Sequence, residues 1–374
     1  MNIPLSSPDI TEKDVTAVLD VLRTPHLSLG PKLPEFEKEF ARYIGVKYAI
    51  AVNSGTSGLH LCVRGLEIKD GDEVITTPFS FIASSNCILF ERATPVFVDI
   101  REDTLNIDEK LVEKKITKRT KAILPVHVFG YPCEMEAIRT IARKNGLAII
   151  EDACEAIGAE VEERKAGSFG DCAVFAFYPN KQMTTGEGGM IVTDREDIAK
   201  LALSMRNQGR DEGMEWLGHN RLGYNYRLSD INCALGLAQL SRIDDILQKR
   251  ERVAKVYNDV LSGIDEIILP PASSGKVQRS WFVYVIRLQN NFTLGQRDEI
   301  VALLRAQGIG CNIYFPPIHL QPFYSEKFGF KRGDLPVTEE VSDRTIALPF
   351  FNNLTAAEIE QVAAGLKSAI KKVG

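Results

Sequence analysis

The first half of the chain alternates short apolar runs with amphipathic segments, and this alternation constrains the fold more than any other feature. The runs are rich in β-branched residues, and apolar side chains recur at helical spacing between them, for example at 59–64 and 134–144. Strands joined through helices in this way form a mostly parallel sheet. The predicted strands are 48–52, 73–76, 95–98, 122–126, 147–150 and 172–177. The pattern predicts a large α/β domain.

The second half predicts a long helix, a linker and a smaller group of elements. The helical pattern covers 229–262, with a break near Arg242, and the stretch 270–275 is rich in proline, serine and glycine, as linkers are. Beyond it we predict strands at 281–288 and 312–315 and helices at 297–307 and 356–371. The expected domains are therefore 1–250, and a small C-terminal α+β domain at 251–374. A stretch without periodicity at 207–223 predicts a functional or mobile loop.

Composition and charge exclude several classes of protein. The net charge is −5 without a basic stripe, so no nucleic-acid partner is expected. No apolar run approaches the roughly 20 residues of a membrane helix, and the first residues lack the features of a signal peptide. Seven cysteines without a CxxC pair fit neither a disulfide framework nor a zinc site. We expect a cytoplasmic protein with no membrane partner and no metal.

A phosphate site is predicted where the first strand meets its helix. Residues 53–58 read Asn-Ser-Gly-Thr-Ser-Gly, and the free N–H groups and dipole of a helix start favour an anion. The hydroxyls of Ser54, Thr56 and Ser57 could add donors, although the same residues also suit an ordinary capped helix. The segment is neither a Walker loop nor a GxGxxG motif, which counts against ATP and NAD.

Two charged residues follow later strands. Asp152 comes after the strand at 147–150, where open α/β sheets bind ligands, and its carboxylate can pair with a protonated ring nitrogen or cap a helix. Lys181 comes four residues after the strand at 172–177 and before a glycine-rich run, where it can reach a cofactor aldehyde; most lysines, however, are surface charges. A phosphate cradle, a carboxylate and a Schiff-base lysine together are what pyridoxal 5'-phosphate (PLP) requires.

The order of these features resembles the DegT/DnrJ/EryC1/StrS family of nucleotide-sugar aminotransferases, which have the type I aminotransferase fold. The resemblance covers nearly the whole chain. The matching segments are 28–31 (SLGP), 36–37 (FE), 53–56 (NSGT), 78–81 (PFSF), 151–153 (EDA), Lys181 with 186–189 (GEGG), 223–227 (GYNYR) and 319–321 (HLQ).

The resemblance implies a role for each candidate residue. Lys181 matches the catalytic lysine that forms the Schiff base and carries the proton, and Asp152 matches the acid that faces the pyridine nitrogen. The remaining matches are Gly55 and Thr56 in the phosphate cradle, Phe81 stacked on the ring, Asn225 reaching the phosphate from the neighbouring subunit, and His319 near the sugar-nucleotide entrance. Phe81 could instead be a core phenylalanine, and His319 a structural histidine. The implied assembly is a homodimer with shared active sites.

Two residues depart from the family pattern. Ala176 stands where many members carry a serine that binds the phosphate, so one hydroxyl donor is missing. Glu155 stands near the cofactor 3-oxygen, where glutamine or histidine is common. An acid there is either protonated or repels the phenolate. We therefore predict that Glu155→Gln is tolerated or improves cofactor affinity.

The expected reaction is a ping-pong transamination. An amino-acid donor, L-glutamate by family analogy, aminates the cofactor, which then aminates a keto sugar carried on a nucleotide diphosphate. The run 184–189 resembles that of members acting at C4 of 4-keto-6-deoxy sugars more than at C3. One alternative is a sugar dehydratase, in which histidine would replace Lys181. The other is a PLP-binding regulatory protein without turnover, for which a DNA-binding appendage would be expected.

Overall fold

The strands are short and largely apolar, as the sequence predicts. The computed structural model describes residues 2–211, 213 and 218–374. Its strands are β1 (Tyr48–Val52), β2 (Glu73–Thr76), β3 (Thr94–Phe97), β4 (Thr120–Leu124), β5 (Ala148–Asp152), β6 (Glu160–Val161), β7 (Arg164–Lys165), β8 (Cys172–Ala176), β9 (Gly189–Thr193), β10 (Ile267–Ile268), β11 (Val277–Gln278), β12 (Tyr284–Leu288) and β13 (Thr345–Leu348).

Helices lie in half of the connections between these strands. They are α1 (Glu12–Leu22), α2 (Lys32–Ile44), α3 (Gly55–Gly65), α4 (Ala83–Phe90), α5 (Glu109–Val112), α6 (Met135–Asn145), α7 (Glu196–Arg206), α8 (Asp230–Leu240), α9 (Ile243–Leu261), α10 (Leu294–Ala306), α11 (Pro322–Phe328), α12 (Pro336–Ser342) and α13 (Ala356–Val373). Short 3-10 helices lie at Glu113–Lys115, Val128–Gly130 and Ile318–Leu320. The predicted long helix is divided into α8 and α9 at the expected place.

The central sheet has seven strands in the order β1-β9-β8-β5-β4-β2-β3. Strand β9 is antiparallel to β1 and β8, whereas the neighbours from β8 to β3 are parallel. Strands β1, β8 and β5 therefore end at the same edge, and β9 begins there. This edge brings together the segments that follow Val52, Ile150 and Ala176, which carry the predicted site residues.

Helix α3 packs against the sheet directly below the predicted phosphate loop. A Cβ at Gly58 would lie 2.7 Å from a methyl group of Val174 in β8, so the absence of a side chain allows close contact. Leu59, Cys62 and Val63 are fully buried, and each large apolar side chain stabilises such packing by about 1.5–3 kcal/mol. The start of α3 is thereby fixed relative to the carboxyl edge.

The C-terminal part has its own three-stranded antiparallel sheet, in the order β10-β12-β13. Helices α9, α10 and α13 pack with it, and Tyr284 stacks on Tyr257 with ring centroids 4.6 Å apart. Ile3 belongs to this core and is bound by backbone hydrogen bonds to Gly308 (2.9 Å) and Gly310 (2.8 Å). Helix α9 continues through residue 250, so the domain boundary placed there stays a prediction.

The structure corrects several boundaries. The predicted strand at 312–315 is wrong, because only Asn312 pairs, with Ala347 of β13. Phe315 turns away to pack against Phe79 and Phe129, and the prolines that follow have no N–H group to donate. Strands β6, β7, β9, β10, β11 and β13 were not predicted.

Part of the predicted loop at 207–223 lies outside the described residues, namely 212 and 214–217. In the described part of the chain, no helix is long and apolar enough to cross a membrane. The cytoplasmic location stays a prediction.

Candidate active site

Asp152 ends β5 with its side chain almost completely buried at the carboxyl edge. Its Oδ2 accepts a 2.7 Å hydrogen bond from the Ser84 hydroxyl, which also lies 2.7 Å from the hydroxyl of Ser80. Its Oδ1 accepts a 3.2 Å bond from the Cys154 N–H. Asp152 thus does cap a local turn, but a hydroxyl chain from the start of α4 also orients its second oxygen.

Glu151 anchors the opposite face of β5, because adjacent residues of a strand point to opposite sides. It is fully buried and accepts three backbone N–H bonds of 2.6–2.8 Å from the 167–170 loop. The fourth partner is His127 Nε2 at 3.0 Å, and His127 Nδ1 accepts the Cys133 N–H at 3.1 Å. The imidazole therefore carries its proton on Nε2, and the clamp fixes the strand that presents Asp152.

Lys181 lies on a turn after β8, where its N–H donates to the Tyr178 carbonyl at 2.9 Å. Its Nζ is 3.7 Å from Glu155 Oε1 and 4.0 Å from the centroid of the Phe282 ring. The side chains of Lys181 and Glu155 are only 14% and 8% exposed. The amine thus lies in a largely dry environment, where solvent screens charge weakly.

Glu155 connects the lysine to the rest of the site. Its Oε2 accepts a 2.8 Å hydrogen bond from the Phe129 N–H. The pKa of the Glu155 carboxyl is raised above its usual value, mainly by burial. The Lys181 ammonium and the Phe129 N–H act in the opposite direction, and the charge of Asp152 adds to the effect of burial. The charges of Lys181 and Asp152 therefore both act on Glu155, and the three groups lie close enough to interact electrostatically.

The predicted phosphate loop forms the start of α3. Ser54 caps the helix by accepting the Ser57 N–H at 3.1 Å, and the Ser57 hydroxyl donates to Asn53 at 2.7 Å. The hydroxyl of Ser57 is thus bonded within the loop, whereas Gly55 and Thr56 occupy the first helical turn, where N–H groups have no partner in the helix. The geometry is that of a preformed anion site.

Two small residues bring β8 and β9 close to this loop. A Cβ on Gly189 would lie 2.7–2.8 Å from the backbone of Ser54 and Gly55. A Cβ on Gly55 would lie 2.8 Å from the Cβ of Ala176. Ala176 therefore borders the loop, in the position where a serine would add a hydroxyl donor.

The other three predicted residues occupy different surroundings. The Phe81 side chain is 63% exposed, one helical turn before Ser84, so it is not a core phenylalanine. Asn225 is exposed, and its carbonyl accepts a 3.3 Å bond from the side chain of Asn53 beside the phosphate loop. His319 is fully buried, with Nε2 2.9 Å from Glu339, and its role at the sugar entrance stays a prediction.

Two residues of the site, Ser84 and Phe282, were not predicted from the sequence. Ser84 lies 68 positions from Asp152, and Phe282 reaches Lys181 from the beginning of the C-terminal part. Ser84 could have been suggested by its place just after the 78–81 motif. Phe282 has no such signal, because it comes close to Lys181 only when the chain is folded.

Together, an amine, a buried carboxylate, an exposed aromatic ring and a helix start lie along one sheet edge. These groups fit a flat cofactor that carries an aldehyde, a basic ring nitrogen and a phosphate, and their placement on a mostly parallel seven-stranded sheet is that of a type I aminotransferase.

Comparison with known proteins gives the family. The sequence profile of the DegT/DnrJ/EryC1/StrS aminotransferase family matches residues 8–367. The chain is 39% identical to GDP-perosamine synthase of Caulobacter vibrioides (98% of each chain) and 36% identical to the spore coat polysaccharide biosynthesis protein SpsC of Bacillus subtilis (99% of this chain, 97% of SpsC). Two solved structures of the putative sugar aminotransferase Spr1654 of Streptococcus pneumoniae, the PMP form and the PLP form, are similar to this chain. Each alignment covers all of this chain and all of Spr1654, with a TM-score of 0.95 and 29% identity.

The chain therefore belongs to the DegT/DnrJ/EryC1/StrS aminotransferase family, whose members use PLP. The predicted class of enzyme and the predicted fold are confirmed.

Proposed function

We propose that the protein transfers an amino group from an amino acid, L-glutamate, to the keto carbon of a nucleotide-diphosphate sugar. The observation that carries this proposal is the convergence of Lys181, Asp152 and the start of α3 at one sheet edge. The named functions of SpsC and GDP-perosamine synthase support a role in polysaccharide or aminosugar biosynthesis. The run at 184–189 favours C4 of a 4-keto-6-deoxy sugar.

Each residue at the carboxyl edge would contact a different part of the cofactor. Lys181 would bond to the aldehyde carbon, Asp152 would pair with the ring nitrogen, and the exposed Phe81 ring would cover one face. The N–H groups of Gly55 and Thr56 would receive the phosphate. When bound, PLP supplies an electron-poor ring that stabilises negative charge on the substrate carbon.

The protein supplies proton transfer and orientation. When Lys181 Nζ is free, it is the amine placed to take a proton from the donor carbon and to pass that proton to the cofactor. The Asp152 carboxylate keeps the ring nitrogen protonated through a charge-assisted bond worth about 1.5–3 kcal/mol. Ser84 holds that carboxylate in position through its 2.7 Å hydrogen bond.

The test of this function is amine transfer to a panel of nucleotide-linked keto sugars, with PLP and L-glutamate present. We expect a Schiff-base absorbance with PLP and an amino sugar as product, with the amine at C4. A product that has lost its 3-hydroxyl would favour the dehydratase instead. PLP binding without turnover on any 3-keto or 4-keto sugar would favour the regulatory alternative.

We also propose that the enzyme is a homodimer with shared active sites. Asn225 supports this, because its side chain is exposed beside the phosphate loop and is available to a second subunit. Leu27, Leu29 and Leu222 are large exposed apolar side chains that an interface would cover. In a two-fold dimer, each site would then combine Lys181 and Asp152 of one chain with Asn225 of the other.

Mixing two inactive variants tests the shared site. Co-expression of Lys181→Ala with Asn225→Asp chains should restore roughly a quarter of wild-type activity, because about half the dimers are mixed and half of their sites are intact. Asn225→Asp should be nearly inactive alone, since its carboxylate would face a phosphate. The unfractionated co-expressed mixture would be assayed against each parent. Activity equal to the sum of the parents would show that each chain carries a complete site.

A further inference from the structure

The surroundings of the Lys181 amine are those of a binding site for an ammonium group. A carboxylate oxygen of Glu155 lies 3.7 Å from Nζ, and the face of the Phe282 ring lies 4.0 Å away. Both contacts attract a cation, the first by charge and the second through the ring quadrupole. Phe282 is buried, so water competes little for the amine on that side.

This arrangement is held by bonds that do not involve the lysine. The Phe129 N–H fixes the second oxygen of Glu155 at 2.8 Å. The side chain of Gln182, next to the lysine, donates to the Glu155 carbonyl at 2.7 Å and to the Ser280 hydroxyl at 3.0 Å. Because Ser280 lies two residues before Phe282, the carboxylate, the lysine turn and the ring are tied together.

Transamination requires Lys181 to be free for half of the cycle. The cofactor carbon exchanges the lysine nitrogen for the donor nitrogen, so one carbon–nitrogen bond forms as another breaks. The lysine nitrogen leaves as a neutral amine, which can take the proton from the donor carbon and pass it on. When water has released the keto acid at the end of this half-reaction, the lysine nitrogen has gained two protons, supplied by the donor ammonium and water, and is an ammonium. We propose that Glu155 and Phe282 are positioning residues that hold this released ammonium while the cofactor carries the amino group.

The proposal rests on the aminotransferase function above and has a distinct energetic consequence. Lys181 must leave Glu155 to bond with PLP, but it can keep that contact when pyridoxamine phosphate (PMP) is bound. Glu155 should therefore oppose binding of PLP and leave binding of PMP unchanged. Repulsion between Glu155 and the cofactor 3-oxygen would instead weaken the binding of both forms.

The test measures dissociation constants of PLP and PMP for the apoprotein, by calorimetry and by Schiff-base absorbance. Glu155→Gln retains the shape and an acceptor for the Phe129 N–H but removes the charge. We expect the variant to bind PLP about tenfold more tightly, because a neutral contact replaces a charged one. The dissociation constant of PMP should change by less than about twofold. In a Lys181→Met background, the same change should leave PLP affinity unaltered.

Two further variants complete the experiment. Phe282→Leu should also favour PLP, by about two- to fivefold, since it removes a weaker cation–π contact. Glu160→Gln is the matched control, because Glu160 pairs with Lys165 at 2.5 Å outside the site and should affect neither constant.

Each other outcome overturns the proposal. Equal tightening of both cofactor forms by Glu155→Gln would assign its effect to the cofactor oxygen, and weaker PMP binding would assign it to the PMP amine. Unchanged constants would show that the 3.7 Å contact has no energetic role. A wild-type protein that forms no Schiff base with PLP would instead contradict the proposed function itself.

Discussion

Lys181→Ala should give a folded protein that forms no Schiff base with PLP and transfers no amine. Glu155 and Phe282 are contacts of the amine, and its removal leaves the buried Glu155 carboxylate without its cation, so the apoprotein should melt at a lower temperature than the wild type. We expect activity to fall by about 10⁴-fold or more, because acid–base catalysis and covalent attachment are lost together. Absorbance after PLP addition and amine transfer to a keto sugar nucleotide measure the two effects.

The chain offers a matched control for this variant. Lys165 also lies beside a carboxylate, Glu160 at 2.5 Å, and over an aromatic ring, Tyr43 at 4.8 Å, but away from the carboxyl edge of β8. Lys165→Ala should retain both absorbance and activity. A yellow, active Lys181→Ala protein would mean that another lysine binds the cofactor.

Asp152→Asn should retain bound cofactor but slow turnover by about 10–100-fold, the kinetic equivalent of one charge-assisted hydrogen bond. A neutral amide cannot hold the ring nitrogen protonated, although it can still accept the Cys154 N–H that the carboxylate now caps. The measurement is kcat with saturating PLP and donor, together with the melting temperature.

Ser84→Ala separates the charge of Asp152 from its orientation. It removes the 2.7 Å donor but leaves the carboxylate, so we expect a smaller loss of kcat than in Asp152→Asn. Near-normal turnover of Asp152→Asn would mean that Asp152 acts only as a structural cap.

The parts of the fold with local causes were predictable from the sequence. Strands β1 and β2 have their predicted bounds, because each contains β-branched apolar residues and is followed by polar or turn residues. Strand β9 was missed because its apolar residues follow directly on the glycine-rich run, so no helix separates it from the lysine loop. It pairs with the nearby β8 and also with β1, about 140 residues earlier in the chain, and a local pattern does not reveal the second partner.

The same distinction applies to the site. Asp152 and Lys181 follow apolar strands and could be proposed from position alone. The environment of Glu155 could not, because it depends on the Phe129 N–H, the Lys181 amine and a negative charge nearby. The sequence marked Glu155 as unusual, and only the folded structure shows which cation it faces.

The packing of Ile3 into the C-terminal core has a consequence for synthesis of the protein. Ile3 is made some 300 residues before its backbone partners Gly308 and Gly310. At typical elongation rates, this delay is on the order of 15–60 s. During that time the first segment must stay unpaired, with its isoleucine exposed to other chains and chaperones. The C-terminal core can therefore be completed only after Gly308 and Gly310 have been made, however early the central sheet forms.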